Sequence, residues 1–361
     1  MPPALRMAIG LGLALLTALT TGSPGHAQTP DPCVAPANPI VAENCLPGTD
    51  EWLIDRPPAA NPAIEGFAYP PSVDHGETVT FYVNTAAPRF DIHIYRSGYY
   101  GGLGGRLLLS ITDLPGQQQP ACHTDCQTGL ASCANWSPSH RLTVPEEWVS
   151  GVYLARLALP DGAASYALFT LRDDARPSDI LFQQSLFTYQ AYNNRVGKAL
   201  YTAGGGECDT IAGSPRAVSV SFHRPYDPAL DLYRSFSNTY FRAEFAMARW
   251  LEAQGYDVTY ATDLDTHRSG LPGAANRLLN HRAFLMVGHD EYWTQAMRDA
   301  ITAARDAGVH IGNFSAQTGL WRARLEPDPW TGELDSVLVS YKTVESGPPD
   351  PSGHSTSSFR D

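Results

Sequence analysis

The sequence predicts two stacked architectures, an N-terminal β-sandwich of immunoglobulin-like type and then a parallel α/β unit of flavodoxin or class I amidotransferase-like layering. Three observations carry this. Short segments between residues 65 and 174 alternate apolar and polar residues with period two and are separated by turn residues. From Ser178 onward, short apolar strands alternate with helical patterns, the pattern of βαβ units. Four of those strands then run into polar, aromatic stretches, and in a parallel sheet all such exits share one edge.

Residues 1–27 read as a secretory signal: Arg6 supplies a positive start, residues 8–20 an apolar stretch, and Gly25-His26-Ala27 small residues for cleavage. The apolar run is too short for a membrane span. The expected location is therefore secreted or periplasmic. Residues 28–64 are rich in Pro and Asn and read as a linker or strapped-down arm. In the β-sandwich expected over 65–174, Thr78–Val83 and Phe90–Tyr95 alternate on either side of the turn Asn84–Pro88. Gly151–Leu157 and Ser165–Leu171 flank the hairpin turn Pro160-Asp161-Gly162. The α/β unit is expected over 178–361. Its strands are Ile180–Leu186, Tyr256–Ala261, Ala283–Gly288 and Val309–Phe314; its helices run over Asn238–Gln254, Ala274–Asn280 and Thr294–Ala307.

Composition narrows the partners. A formal net charge of −12, with no clustered Lys and Arg, argues against a nucleic-acid surface. The partners left open are a small-molecule or glycan-like substrate and a second copy, as a homo-oligomer. Six cysteines in an exported chain read as disulfides. Cys33 is expected to pair with Cys45, and one of Cys122, Cys126 and Cys133 with Cys208. A zinc site built on those three with His123 is the weaker alternative. Neither Gly101–Gly105 nor Gly204–Gly206 has the strand–loop–helix context of a phosphate loop.

The chemistry concentrates in Ala283–Thr294, where a buried strand empties into Gly288-His289-Asp290-Glu291-Tyr292-Trp293. His289, Glu291 and, on the neighbouring exit, Asp263 are the candidate catalytic groups, with Asp265 and His267 as supporting partners. Asp263 and Asp265 also fit the cap of a short helix. Two rival readings use the same residues: an exported glycan-binding crevice, and a glycoside hydrolase pairing Asp263 or Asp265 with Glu291.

Several motifs together resemble the N,N-dimethylformamidase large-subunit family: Tyr189-Gln190-Ala191-Tyr192-Asn193, Ser221–Tyr226, Thr262-Asp263-Leu264-Asp265, Gly288–Trp293, Trp321-Arg322-Ala323-Arg324 and Tyr341-Lys342. The Gly-rich Ile94–Gly105 resembles exported relatives. The resemblance implies hydrolysis of a carbon–nitrogen amide bond with one ferric iron (Fe3+) held by two tyrosines and a glutamate, and a histidine two residues before that glutamate. By motif these are Tyr192, Glu291 and His289; the second tyrosine is Tyr226, with Tyr233 and Tyr240 as rivals. The chain departs from the pattern at Ser315-Ala316-Gln317, where relatives read Asn in place of Gln317. It also ends at Phe359-Arg360-Asp361, where relatives continue, and so reads as a shortened form of the domain.

Overall fold

The computed structural model describes residues 31–54, 62–201, 216–226, 240–242, 244–342 and 349–359. The expected signal peptide, Cys208, Tyr233, Gly204–Gly206 and the start of the helix expected at Asn238 lie outside the described residues. What is described is a mixed α/β structure, mostly strands.

Ten strands come first: β1 (Ile64–Tyr69), β2 (Ser72–Val73), β3 (Thr78–Thr85), β4 (Arg89–Ser97), β5 (Gly105–Pro115), β6 (His123–Thr124), β7 (Ala131–Ser132), β8 (His140–Thr143), β9 (Gly151–Ala158) and β10 (Ala164–Leu171). They form a three-stranded sheet in the order β1-β3-β8, a five-stranded sheet in the order β2-β10-β9-β4-β5, and the pair β6-β7. Every pairing except β2 with β10 is antiparallel. The period-two pattern sends Val79, Phe81 and Val83 of β3 into one core with Ile92 and Ile94 of β4, Leu157 and Phe169. Each such side chain contributes about 1.5–3 kcal/mol by leaving water. β5, which follows the Gly-rich stretch, carries no clear period-two pattern: its residues are mostly half-buried or exposed and it lies at the end of the sheet order, beside β4.

The arm is fastened down. Helix α1 (Pro39–Asn44) is closed by the Cys33–Cys45 disulfide. Glu43 accepts bonds from Tyr100 (2.6 Å) and Arg106 (2.7 Å), while Asn44 donates to Glu252 (2.8 Å). Cys122 pairs with Cys133, and Cys126 is also disulfide-bonded, which leaves no thiolate among these three for the alternative zinc site.

The remaining strands are β11 (Ile180–Gln184), β12 (Ser219–Ser221), β13 (Val258–Thr262), β14 (Ala283–His289), β15 (Tyr292–Thr294), β16 (His310–Ala316), β17 (Trp321–Glu326) and β18 (Val337–Val339). The helices among them are α2 (Leu186–Tyr192), α3 (Glu244–Ala253), α4 (Asp263–Ser269) and α5 (Gln295–Asp306). A central sheet in the order β13-β11-β14-β16 is parallel throughout. A second sheet, β12-β18-β17-β15, lies beside it. α5 is capped by Thr294, whose side chain accepts from the Met297 amide, and buries Met297, Ala300, Ile301 and Ala304 at helical spacing.

Two stretches read as strand exits are helices. Thr188–Tyr192 belongs to α2. Asp263–His267 belongs to α4, where the Thr262 side chain takes the Asp265 amide and the Asp265 carboxylate takes the Thr262 amide. This capping box is the cap reading of Asp263-x-Asp265. The largest core cluster is continuous, running from Trp52, Tyr95 and Leu154 to Phe182, Tyr260, Tyr292 and Trp321. The β-rich half and the α/β half therefore share one interior. At its centre the fully buried Arg96 and Glu252 pair at 2.8 Å, and Tyr260 donates to the same carboxylate at 2.8 Å.

Candidate functional site

Four segments converge at the carboxyl end of β14. Gly288 has φ of +83°, a backbone state closed to most side chains; pairing with β11 has ended at Met286, while pairing with β16 continues to His289. The next residues are clamped through their peptide groups. The Asp290 amide donates to Ser315 Oγ (2.7 Å) and the Glu291 amide to Thr188 Oγ1 (3.0 Å). Their carbonyls accept from the amides of Gly319 and Trp321, both at 2.9 Å. Glu291 is thus fixed before its side chain is considered.

The buried carboxylate is shared between two phenols. Tyr192 donates to Oε2 at 3.0 Å and Tyr201 to Oε1 at 2.6 Å. Trp321 Nε1 also reaches Oε1, at 3.1 Å. The two phenol rings stack with centroids 4.2 Å apart. His289 Nε2 lies 3.5 Å from Glu291 Oε2 and 2.8 Å from Gln317 Oε1, and its side chain is 15% exposed. Tyr192, Tyr201 and His289 are the partly exposed members of the cluster. Lys342, fully buried, holds Nζ 3.0 Å from the Tyr201 ring centroid and about 5 Å from those of Tyr292 (5.3 Å) and Trp321 (5.1 Å). Gln317 (φ 52°) and Lys342 (φ 49°) both adopt left-handed backbone, strain of about 1–3 kcal/mol each that collects at functional sites.

Of the residues expected from sequence, the structure brings together His289, Glu291 and Tyr192. It places Tyr226 elsewhere, beside Gln190, Asp263 and Glu244. The rival Tyr240 is fully buried and bonded to Ser97 (2.8 Å). The phenol that joins Tyr192 is Tyr201, which sequence reasoning missed. Its signal was faint: Asn193-Asn194-Arg195-Val196-Gly197 is turn chemistry, and the chain reverses there, so that the Leu200 amide meets the Ala191 carbonyl at 2.9 Å.

Asp263 is a buried anchor: its Oδ2 accepts the Phe187 amide at 2.7 Å. Burial, then the neighbouring Asp290 and Glu244, push its pKa well above the carboxylate range. Burial also raises Glu244 to about 8 and Asp290 to about 7. Asp265 is committed to the capping box, Ser72 (2.7 Å) and Arg172 (3.3 Å), and His267 to Thr294 (2.8 Å). None of Asp263, Asp265 and His267 hydrogen-bonds to Glu291; Thr188 and Trp321 do.

Burial, followed by Tyr292, Glu291 and Tyr192, holds the Tyr201 phenol far above its usual pKa, so it stays a donor in the absence of a cation. A cation that displaces the phenol protons would find three oxygen donors already converged. That set is hard and suits ferric iron. Among the described residues no group of three or more His, Cys, Asp and Glu side chains is arranged to hold a metal, so an ion here depends on the phenols.

Fold and site together define a mixed α/β protein with a phenol–carboxylate centre at the carboxyl edge of its parallel sheet. The chain belongs to the N,N-dimethylformamidase beta subunit-like, C-terminal family, whose model matches residues 91–361. The match begins inside β4, so the family relationship includes part of the β-rich half. No curated protein matches the sequence. Among solved structures, a superoxide reductase (neelaredoxin) from Ignicoccus hospitalis aligns at 14% identity over 31% of this chain and 80% of its own, with a TM-score of 0.19. A cycloisomaltooligosaccharide glucanotransferase from Paenibacillus sp. aligns at 9% identity over 55% of this chain and 27% of its own, with a TM-score of 0.20. Likenesses this low bear on neither fold nor function.

Proposed function

We propose that the protein is an exported, iron-dependent hydrolase of a carbon–nitrogen amide bond, with Tyr192, Tyr201 and Glu291 as the metal-holding set. The observation that carries this is the Glu291 carboxylate, whose two oxygens each receive a different tyrosine hydroxyl. Family membership supports the hydrolase class. Bound there, ferric iron would polarise the amide carbonyl and acidify a water.

The chain's own residues do the rest. His289, whose Nε2 faces the acceptors Gln317 Oε1 and Glu291 Oε2 and so carries its proton, takes the proton of the attacking water on Nδ1 and returns it to the departing amine. Gln317 holds the His289 ring in place through its 2.8 Å bond. The Lys342 ammonium rests on the Tyr201 ring, 3.0 Å from its centroid, a cation–π contact that holds the ring in place. Trp321 and Tyr292, both buried, close the site from behind. We read the architecture as an immunoglobulin-like sandwich joined to a flavodoxin-like sheet. The disulfides Cys33–Cys45 and Cys122–Cys133, with no helix among the described residues long and apolar enough to cross a membrane, are compatible with export.

The carboxylate-pair reading has less to recommend it. Asp265 gives Oδ2 to the capping box and Oδ1 to Arg172, and Asp263 accepts the Phe187 amide. The test is amine release from a panel of small amides by iron-loaded protein and by His289→Ala. Turnover reduced about 100-fold or more in the variant is expected. Equal rates would remove His289 from the reaction, and no turnover on any amide would overturn the assignment.

A further inference from the structure

We infer that Thr188 is the positioning residue that sets the separation of Tyr192 and Glu291, an inference resting on the iron site proposed above. Four backbone bonds clamp Asp290 and Glu291. Three of them come from the β16–β17 side, through Ser315, Gly319 and Trp321. The fourth, from the Glu291 amide to Thr188 Oγ1 at 3.0 Å, is the one that ties the carboxylate's backbone to α2. Thr188 and Tyr192 stand four residues apart on that helix, hence on one face. One side chain of α2 thus grips the backbone of Glu291 while the next turn presents a phenol to its carboxylate.

The two contacts differ in permanence. The Tyr192–Glu291 bond exists only while the phenol keeps its proton, and a cation would abolish it. The Thr188 bond involves no group that binds a metal, so it persists in either state. α2 has only seven residues and no side-chain cap at Ser185. It is held at its start by Glu244, which accepts the Ser185 amide (3.2 Å), and by Asp263, which accepts the Phe187 amide. Those anchors fix the beginning of the helix, and Thr188 fixes its face toward Glu291. Thr188 is fully buried, so a nonpolar replacement leaves the Glu291 amide without an acceptor where water does not reach.

The experiment compares the full chain with Thr188→Val, which keeps shape and removes the hydroxyl, and Thr188→Ser, which keeps the hydroxyl. Thr188→Ala serves as a second deletion should valine impair folding. In metal-free protein, hydrogen exchange of the peptide spanning residues 288–293 should accelerate in Val or Ala and match wild type in Ser. With ferric iron added, affinity should fall about 10- to 100-fold in Val or Ala and recover in Ser. Unchanged exchange in the deletion variants would overturn the hydrogen bond. Accelerated exchange with unchanged iron affinity would overturn the positioning role. Ser failing alongside Val would mean that packing, not the hydroxyl, matters, and would also overturn it. A wild-type chain that binds no iron would sink the metal reading and the inference with it, an outcome told apart because the exchange result is obtained without metal.

Discussion

Glu244 gives the sharpest quantitative prediction. It is 2% exposed, receives the Tyr189 hydroxyl and the Ser185 amide, and has Asp290 as a charged neighbour. Burial is the largest influence on it, and its pKa rises from the ordinary 4.5 to about 8. A carboxyl that keeps its proton longer when folded contributes stability that is complete below pH 4.5. That stability is lost as pH rises toward 8. The loss runs at about 1.4 kcal/mol per pH unit, or about 5 kcal/mol across the window. Glu244→Gln has the shape of the protonated acid and cannot ionise. Urea unfolding of metal-free protein with its disulfides intact, followed by tryptophan fluorescence at pH 5, 6, 7 and 8, should show wild type losing stability more steeply than the variant, by about 1.4 kcal/mol per unit. Asp263 and Asp290 are raised in the same direction, so the variant's curve should still fall. Parallel curves for the two proteins would refute the reasoning.

Three further outcomes follow from the same structure. Arg96→Met strands the buried Glu252 carboxylate and should cost about 3–5 kcal/mol in chemical denaturation, with much of the loss regained in Arg96→Met/Glu252→Leu. At Asp265 burial opposes ionisation, but Arg172, Ser72 and Thr262 hold its pKa below 3.8; its stabilisation is therefore present above that value and disappears as pH falls further. Asp265→Asn should flatten the acid limb of a stability–pH curve. Tyr201→Phe should abolish iron uptake, whereas Tyr226→Phe should leave it intact, both read by metal analysis of the reconstituted protein.

Periodicity made much of the fold legible. Alternation over Thr78–Val83 and Phe90–Tyr95 named β3 and β4, and the apolar run Phe284–Val287 named β14. β5 escaped because an edge strand need not alternate, and α2 escaped because seven residues carry too little helical period to be heard over Tyr189-Gln190-Ala191-Tyr192. At the candidate site, His289 and Glu291 were legible because they follow a buried strand directly. Tyr192 was legible through its motif. Tyr201 was not, since a reversal of the chain rather than any spacing rule brings it to Glu291. Lys342 was part of a motif, yet its place against the Tyr201 ring depends on contacts distant in sequence. Asp263 was named from its residue type and its place beside the strand exit; its bond to the Phe187 amide depends on a contact distant in sequence.

The most direct test of the central claim is iron content and visible absorbance of the purified protein beside Glu291→Ala. The account predicts near-stoichiometric iron and a phenolate-to-iron absorption band in wild type, with both lost in the variant. Wild-type protein that stays colourless and iron-free after incubation with ferric iron would contradict it.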